Sequence, residues 1–420
     1  MSTWSLLLPE RTTPRAAAGG AGFLTEAFVA YVLFVSTGAI LPLLAMGEGT
    51  ELAAEDSALL RLTLLPILAV VPILAAAHWR IVLAALLRTP ILVVLVGLAV
   101  LSVLWSVEPG VTARRALAFA VFSLLGVLIA LRYRSRELAE RLLWLACAVI
   151  AVSVVFQLAL PRLATMSDGA WRGAFTHKNV LGQIASFALL VGLVAWRHRL
   201  APRPLLIGLQ SLAGLMLPAS RSATSLVVTL LLGTAYVLIG GGGLPRLARA
   251  AIVSFMFAAA ALLGLWLLLF PEDAVALLGR DLTLTGRLPL WEHVLGVIGE
   301  RPWLGWGFHA IWALPGFADY VLWTLGWAAP NAHSGYLEVL MGLGVLGLGL
   351  TLALLGQALL RATRALHRGD PLLGELALLL LGAYLLRNLV ESELLQQSSL
   401  SWLLVVALLV RAGPVPDGRT

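Results

Sequence analysis

Residues 116–131 read Ala-Leu-Ala-Phe-Ala-Val-Phe-Ser-Leu-Leu-Gly-Val-Leu-Ile-Ala-Leu, a run without a charge, flanked by Arg114 and Arg115 on one side and by Arg132, Arg134 and Arg136 on the other. A helix at the surface of a soluble domain needs a polar face to meet water, and this run offers none. It suits a segment surrounded by lipid and other helices, where about 20 mainly apolar residues cross the hydrocarbon core. Working outward, comparable runs centre on 22–45, 58–77, 90–105, 113–131, 142–160, 180–196, 204–218, 222–240, 250–270, 333–358, 371–390 and 396–411. The reading is an all-α polytopic membrane protein of about twelve transmembrane helices. It divides into an N-terminal bundle (1–270), a long loop (271–332) and C-terminal helices (333–420), all within one integrated membrane domain.

Composition agrees. Of 420 residues 60% are hydrophobic, 12% are charged, and the mean hydropathy is +0.94. Soluble domains run at about 45–50% apolar and about 25% charged, so a soluble enzyme, a disordered chain and a disulfide framework are all excluded. The single cysteine, Cys147, lies in an apolar run and says nothing about redox compartment. The first 21 residues lack an apolar core, so the first span is expected to insert uncleaved.

Lys178 is the one lysine beside 28 arginines, and the formal net charge is +7. With the N-terminus in the cytoplasm, inside segments hold 18 of the basic residues and outside segments 9, and Glu51, Glu55 and Asp56 lie outside. That bias expects both termini in the cytoplasm. The surplus of inside arginine is topological and gives no reason to expect nucleic acid as a partner.

Topology does not explain the outside cations. In Trp171-Arg172-Gly173-Ala174-Phe175-Thr176-His177-Lys178-Asn179 two permanent cations and a histidine stand within seven residues. The segment reads either as a snorkelling interface anchor, with Asn179 as a plain helix N-cap, or as an anion site, because arginine's planar fork suits phosphate oxygens. In Pro218-Ala219-Ser220-Arg221-Ser222-Ala223 the turn is so short that Arg221 must sit at or below the headgroup level. There it needs water, a partner or the bundle interior, while the small hydroxyl residues allow close helix approach.

The segment 271–332 carries six of the 14 tryptophans: Trp291, Trp303, Trp306, Trp312, Trp323 and Trp327. It is too apolar and aromatic for disorder, and a lid on the membrane face is expected. Within it Thr285 reads as an N-cap, and Leu288, Trp291, Leu295 and Ile298 recur at helical spacing up to Arg301-Pro302, giving an amphipathic helix on the membrane. Arg287 then falls in the first turn, where a cation opposes the helix dipole. Pro330-Asn331 reads as another helix start, leaving His333 in the first turn. The positive helix end and nearby arginines would lower its pKa, and a bound phosphate would raise it again. Neutral beside an anion, it can act as a general base near pH 7; as a lone histidine it can also be an ordinary hydrogen-bonded interface residue. Glu338 lies about 140° further round and is not obviously its orienter. Arg387 and Glu391, four apart, read as an in-helix ion pair, and Glu26 and Arg61 as a similar buried pair.

The segments R-G-A-F-T-H-K-N-V-L-G (172–182), S-R-S (220–222), L-T-G-R-L-P-L-W (284–291), E-R-P-W-L-G-W-G (300–307) and N-A-H-S-G-Y-L-E-V-L-M-G-L-G (331–344), with W-S-V-E-P-G (105–110), resemble in order the O-antigen ligase and polymerase superfamily, and are closest in flavour to exopolysaccharide polymerases of the succinoglycan type. The resemblance implies a GT-C-like, lipid-dependent integral membrane glycosyltransferase of the bacterial inner membrane, acting on its periplasmic side. It implies an undecaprenyl-diphosphate-linked glycan as donor, a glycan or lipid acceptor, no metal or other cofactor, and a chain-length regulator as a further partner. By the same resemblance His333 is the base and Arg287 belongs to the catalytic set, while Arg172 and Arg221 bind the diphosphate. His177, Lys178, Asn179, Tyr336, Glu338, Arg387 and Glu391 follow more loosely as substrate-binding residues.

The chemistry is coherent with that expectation. A diphosphate leaves readily if its growing charge is stabilised, which preorganised cations in a poorly hydrated site can do. The outer loops show no convincing Asp-x-Asp cluster that would hold a divalent cation instead. Polymerase is favoured over ligase. A transporter is the remote alternative, weakened by the absence of two related halves.

Overall fold

The computed structural model describes residues 20–40, 43, 58–239, 287–327 and 329–413. The expected ninth span, the outer loop 46–57, the first part of the long segment with Thr285, and the side chain of Arg61 lie outside the described residues. The helices are α1 (Gly20–Val35), α2 (Ala58–Ala77), α3 (Trp79–Leu87), α4 (Pro90–Leu101), α5 (Pro109–Arg132), α6 (Ser135–Ala159), α7 (Lys178–Arg197), α8 (Arg203–Ala219), α9 (Ala223–Ile239), α10 (Arg287–Glu300), α11 (Phe317–Leu325), α12 (Gly335–His367), α13 (Pro371–Arg387) and α14 (Leu400–Arg411). Among the described residues there is no strand, only an isolated bridge between Thr165 and Trp171.

The chain is an all-α membrane protein. Helices α5, α6, α7 and α12 are long and apolar enough to cross a bilayer, and a fifth span arises if the bent pair Leu62–Ala77 and Trp79–Leu87 counts as one. Shorter apolar helices cover Thr25–Val35, Pro90–Leu104, Ala223–Leu238 and Leu400–Arg411.

Two connections expected to be loops are helical. Residues 79–87 form α3, bent 92° from the helix before it, with Val82 and Ala85 buried and Trp79, Ile81, Leu83 and Leu87 exposed. Residues 135–141 form the first turns of α6, where the Glu137 carboxylate accepts the Arg134 backbone N–H at 2.8 Å, so only Tyr133 and Arg134 connect α5 to α6. The expected pairing of Glu26 with Arg61 falls on a side chain outside the described residues, but Glu26 has other partners. Its carboxylate meets Arg132 at 3.0 Å and Arg141 at 2.7 Å, and it accepts the Tyr133 hydroxyl at 2.9 Å.

Small residues let the helices approach closely, as packing in lipid requires. A Cβ on Gly182 of α7 would stand 2.6 Å from the Ser222 Cβ, and one on Gly126 of α5 would stand 2.8 Å from the Val406 Cβ of α14. Beside that second contact Trp402 stacks on Phe119 at 4.8 Å and donates its indole N–H to Ser123 Oγ at 2.9 Å.

Helix α12 is broken. Gly344 has φ 65° and ψ −167°, and the segment after α10 runs into the break. The N–H groups of Trp306 and Gly307 donate to the carbonyls of Met341 and Gly342 at 2.9 and 3.0 Å, while Val345 N–H donates to Pro302 at 2.8 Å. Backbone groups freed from a helix within the membrane need such partners. The same segment takes the 105–110 motif: Trp105 donates to the Leu304 carbonyl at 3.0 Å and Val107 N–H to Trp306 at 3.1 Å. Two of the motifs that carry the family resemblance therefore meet as backbone against backbone.

Helix α10 ends at Glu300, before Arg301-Pro302, as the spacing expects, but its buried stripe is Leu290, Val294 and Ile298. Leu288 and Leu295 are exposed, while half-buried Trp291 donates to the Ala332 carbonyl at 2.8 Å.

Candidate functional site

One end of the bundle gathers the end of α1, the starts of α5, α7, α12 and α14, and the end of α13. His177 is the N-cap of α7, with extended backbone, and its Nδ1 accepts the Asn179 N–H at 3.1 Å. The loop before it is braced by Arg172, which donates to the carbonyls of Leu163 at 2.7 Å and Thr176 at 3.2 Å. Asp168, a residue that the sequence reading passed over, pairs with Lys178 at 2.5 Å and also accepts the Ala170 N–H. That pairing holds its carboxyl below the usual carboxylate range. Arg221, in the left-handed region at φ +51°, donates to the Asp168 carbonyl at 2.6 Å. Arg172, Lys178 and Arg221 thus converge on the loop between α6 and α7. Burial, and then the Lys178 charge, lower the pKa of His177.

The His333 side is built differently from expectation. Ser334 is the N-cap of α12, so His333 precedes the helix and does not sit in its first turn. It takes φ +47°, and its N–H donates to Asn331 Oδ1 at 3.0 Å. Its ring lies 5.8 Å from that of Trp327. Its Nδ1 is buried with no hydrogen-bond partner. Burial first, then the charges of Arg287 and His177, depress its pKa to about 4. The Glu338 carboxylate takes the Trp312 indole N–H at 3.0 Å and the Ala332 N–H. The start of α12 is tied to the connection between α13 and α14: Gly335 N–H donates to the carbonyls of Asn388 and Glu391, and Ser334 N–H to Ser392 Oγ. Tyr336 donates its hydroxyl to the Leu385 carbonyl at 3.0 Å.

Arg387 and Glu391 do not pair with each other. Arg387 meets Glu393 at 3.5 Å, and Glu391 meets Arg287, also at 3.5 Å. Arg287 further donates to the Val390 carbonyl, and Glu391 accepts Asn179 Nδ2 at 3.0 Å. Burial pushes the Glu391 pKa up to about 7, against the pull of Arg287.

A cavity of about 630 Å³ opens at this end. His177, Asn179, His333, Arg387, Glu391 and Glu393 stand on its polar wall, and Leu68, Phe187, Leu190, Leu404 and Leu408 line its apolar depth. Arg172, Lys178, Arg221 and Arg287 lie outside that lining, behind the loops they brace. Arg114 and Arg115 do line it, and Arg115 also donates to the His309 carbonyl. The signal for them was in the sequence, as an adjacent arginine pair just after the W-S-V-E-P-G motif. Among the described residues, no three His, Cys, Asp or Glu side chains gather as a metal site would.

Residues 208–352 match the family model described as O-antigen ligase. Arg221, Arg287 and His333 fall inside that range. The chain is also similar to the exopolysaccharide production protein ExoQ of Rhizobium meliloti (strain 1021), at 28% identity over 322 residues covering 71% of each chain. Both matches, with the helical membrane fold, are similarities to proteins of O-antigen ligase and exopolysaccharide production type.

Proposed function

We propose that the protein is a metal-independent, inverting glycosyltransferase that polymerises undecaprenyl-diphosphate-linked oligosaccharide units at the periplasmic face of the bacterial inner membrane. The observation that carries the reading is His333, which lines the cavity with an unpartnered Nδ1 and is held neutral by burial and by Arg287. A neutral imidazole can take the acceptor hydroxyl proton as that oxygen attacks the anomeric carbon. The bond from the anomeric carbon to the phosphate oxygen breaks, and its electron pair leaves with the lipid diphosphate. Arg287, with Arg172, Lys178 and Arg221, supplies the positive field for that charge from behind the loops that border the cavity. The cavity's polar wall and apolar depth match a lipid with a polar head.

Transfer of the glycan to lipid A core or to a protein is the second reading, since it shares every donor-side step. Similarity to an exopolysaccharide production protein favours polymerisation. The test is incubation of purified protein with a defined undecaprenyl-diphosphate oligosaccharide and EDTA. A ladder of lipid-linked products is expected. A single transfer, seen only when lipid A core is added, would favour the ligase, and transport with no new glycosidic bond would refute the enzyme.

A further inference from the structure

Besides His333 Nδ1, three polar atoms on the cavity wall are buried without a hydrogen-bond partner: Arg387 Nε, Glu393 Oε1 and Gln397 Oε1. All three belong to the end of α13 or to the connection that leads to α14. A buried donor or acceptor left unpaired costs free energy, and native proteins keep few of them without a reason. Three on one wall of one cavity form a set of unmet hydrogen bonds that a bound molecule can fill.

The chemistry of that set limits what fills it. One atom donates and two accept. An anion would suit Arg387 but would be repelled by the Glu393 carboxylate, and a cation would meet the reverse conflict. Arg387 and Glu393 largely offset each other at 3.5 Å, so the wall is close to neutral. A hydroxyl both donates and accepts, and a pyranose carries several at fixed spacing. Ser398 and Ser401 on the same lining add further groups of either kind.

We infer that Arg387, Glu393 and Gln397 form a subsite for neutral sugar hydroxyls of the lipid-linked donor, distinct from the cations assigned to its diphosphate. This rests on the glycosyltransferase reading and adds to it the place and character of sugar recognition.

The test uses full-length Gln397→Met, which preserves side-chain length and removes the amide. Affinity is measured for two probes: undecaprenyl diphosphate alone, and the undecaprenyl-diphosphate glycan extracted from source cells lacking this chain. Gln397→Met is expected to hold the bare lipid within twofold of wild type and to lose about five- to tenfold for the glycosylated lipid, the size of one neutral hydrogen bond. Its melting temperature without lipid should equal or exceed that of wild type, because an unmet polar group has been removed. Glu393→Gln serves as second variant and should show the same selective loss. Equal loss for both lipids, no loss for either, or a wild type that binds both lipids equally would overturn the subsite alone. A wild type that binds neither lipid would overturn the glycosyltransferase reading as well.

Discussion

The Arg287 guanidinium lies 3.5 Å from Glu391 Oε1, so the ion pair at the mouth of the cavity runs between α10 and the connection from α13 to α14, and not along one helix. The pair fastens the long segment to the helices that carry the rest of the site. Arg287→Lys keeps the charge but loses the planar fork that reaches both Val390 and Glu391, and glycan transfer should fall about 10- to 100-fold. Turnover within twofold of wild type would show that charge alone is enough.

Glu391 also makes stability depend on pH in a definite direction. Its pKa is raised from 4.5 to about 7 in the folded protein. Between those values the folded chain holds a proton that the unfolded chain releases, so this group makes folding less favourable as pH rises across the window. Glu391→Gln should remove that contribution. Melting of the detergent-solubilised protein from pH 5 to 8 should show a flatter profile for the variant over that interval.

His333 works with the opposite sign. Its pKa is depressed from 6.5 to about 4, so stability is fully present above pH 6.5 and is lost as pH falls toward 4. His333→Gln should flatten that acid limb, while glycan transfer falls about 10²- to 10⁴-fold, as for loss of a general base. A variant that turns over normally would remove His333 from the chemistry.

Gly344 is a structural test without chemistry. A Cβ there would stand 2.3 Å from the Trp303 backbone carbonyl, at φ 65°. Gly344→Ala should cost on the order of 2–4 kcal/mol, as strain and backbone displacement add. Equal yield and melting temperature for this variant would argue against the docked segment.

Orientation can be read directly. In a Cys147→Ala background, Asp168→Cys should react with a membrane-impermeant maleimide in spheroplasts, and Arg199→Cys should react only after lysis. The reverse pattern would place the cavity on the cytoplasmic side.

The sequence made the class of fold legible, because an uncharged run such as 116–131 allows few environments. It also singled out the loops from which Arg172, Arg221, Arg287 and His333 are drawn. It did not reveal which charges meet: Glu391 finds Arg287 across a hundred residues of chain, and a four-residue spacing suggested Arg387 instead. Nor did periodicity reveal the buried face of α10, since Leu288, Trp291, Leu295 and Ile298 fit the helical spacing as well as Leu290, Val294 and Ile298 do. The break in α12 was written in Gly342, Gly344 and Gly347. Such glycines also suit plain close packing, and only the arrival of residues 302–307 separates the two cases.

That arrival has a consequence for biogenesis. Pro302–Gly307 leaves the ribosome before α12, so the peptide groups that receive the interrupted helix already exist when it enters the bilayer. A circular permutation that moved 287–327 behind residue 413 would reverse this order, and the orphaned half-helix would face lipid with its amides bare until translation finished.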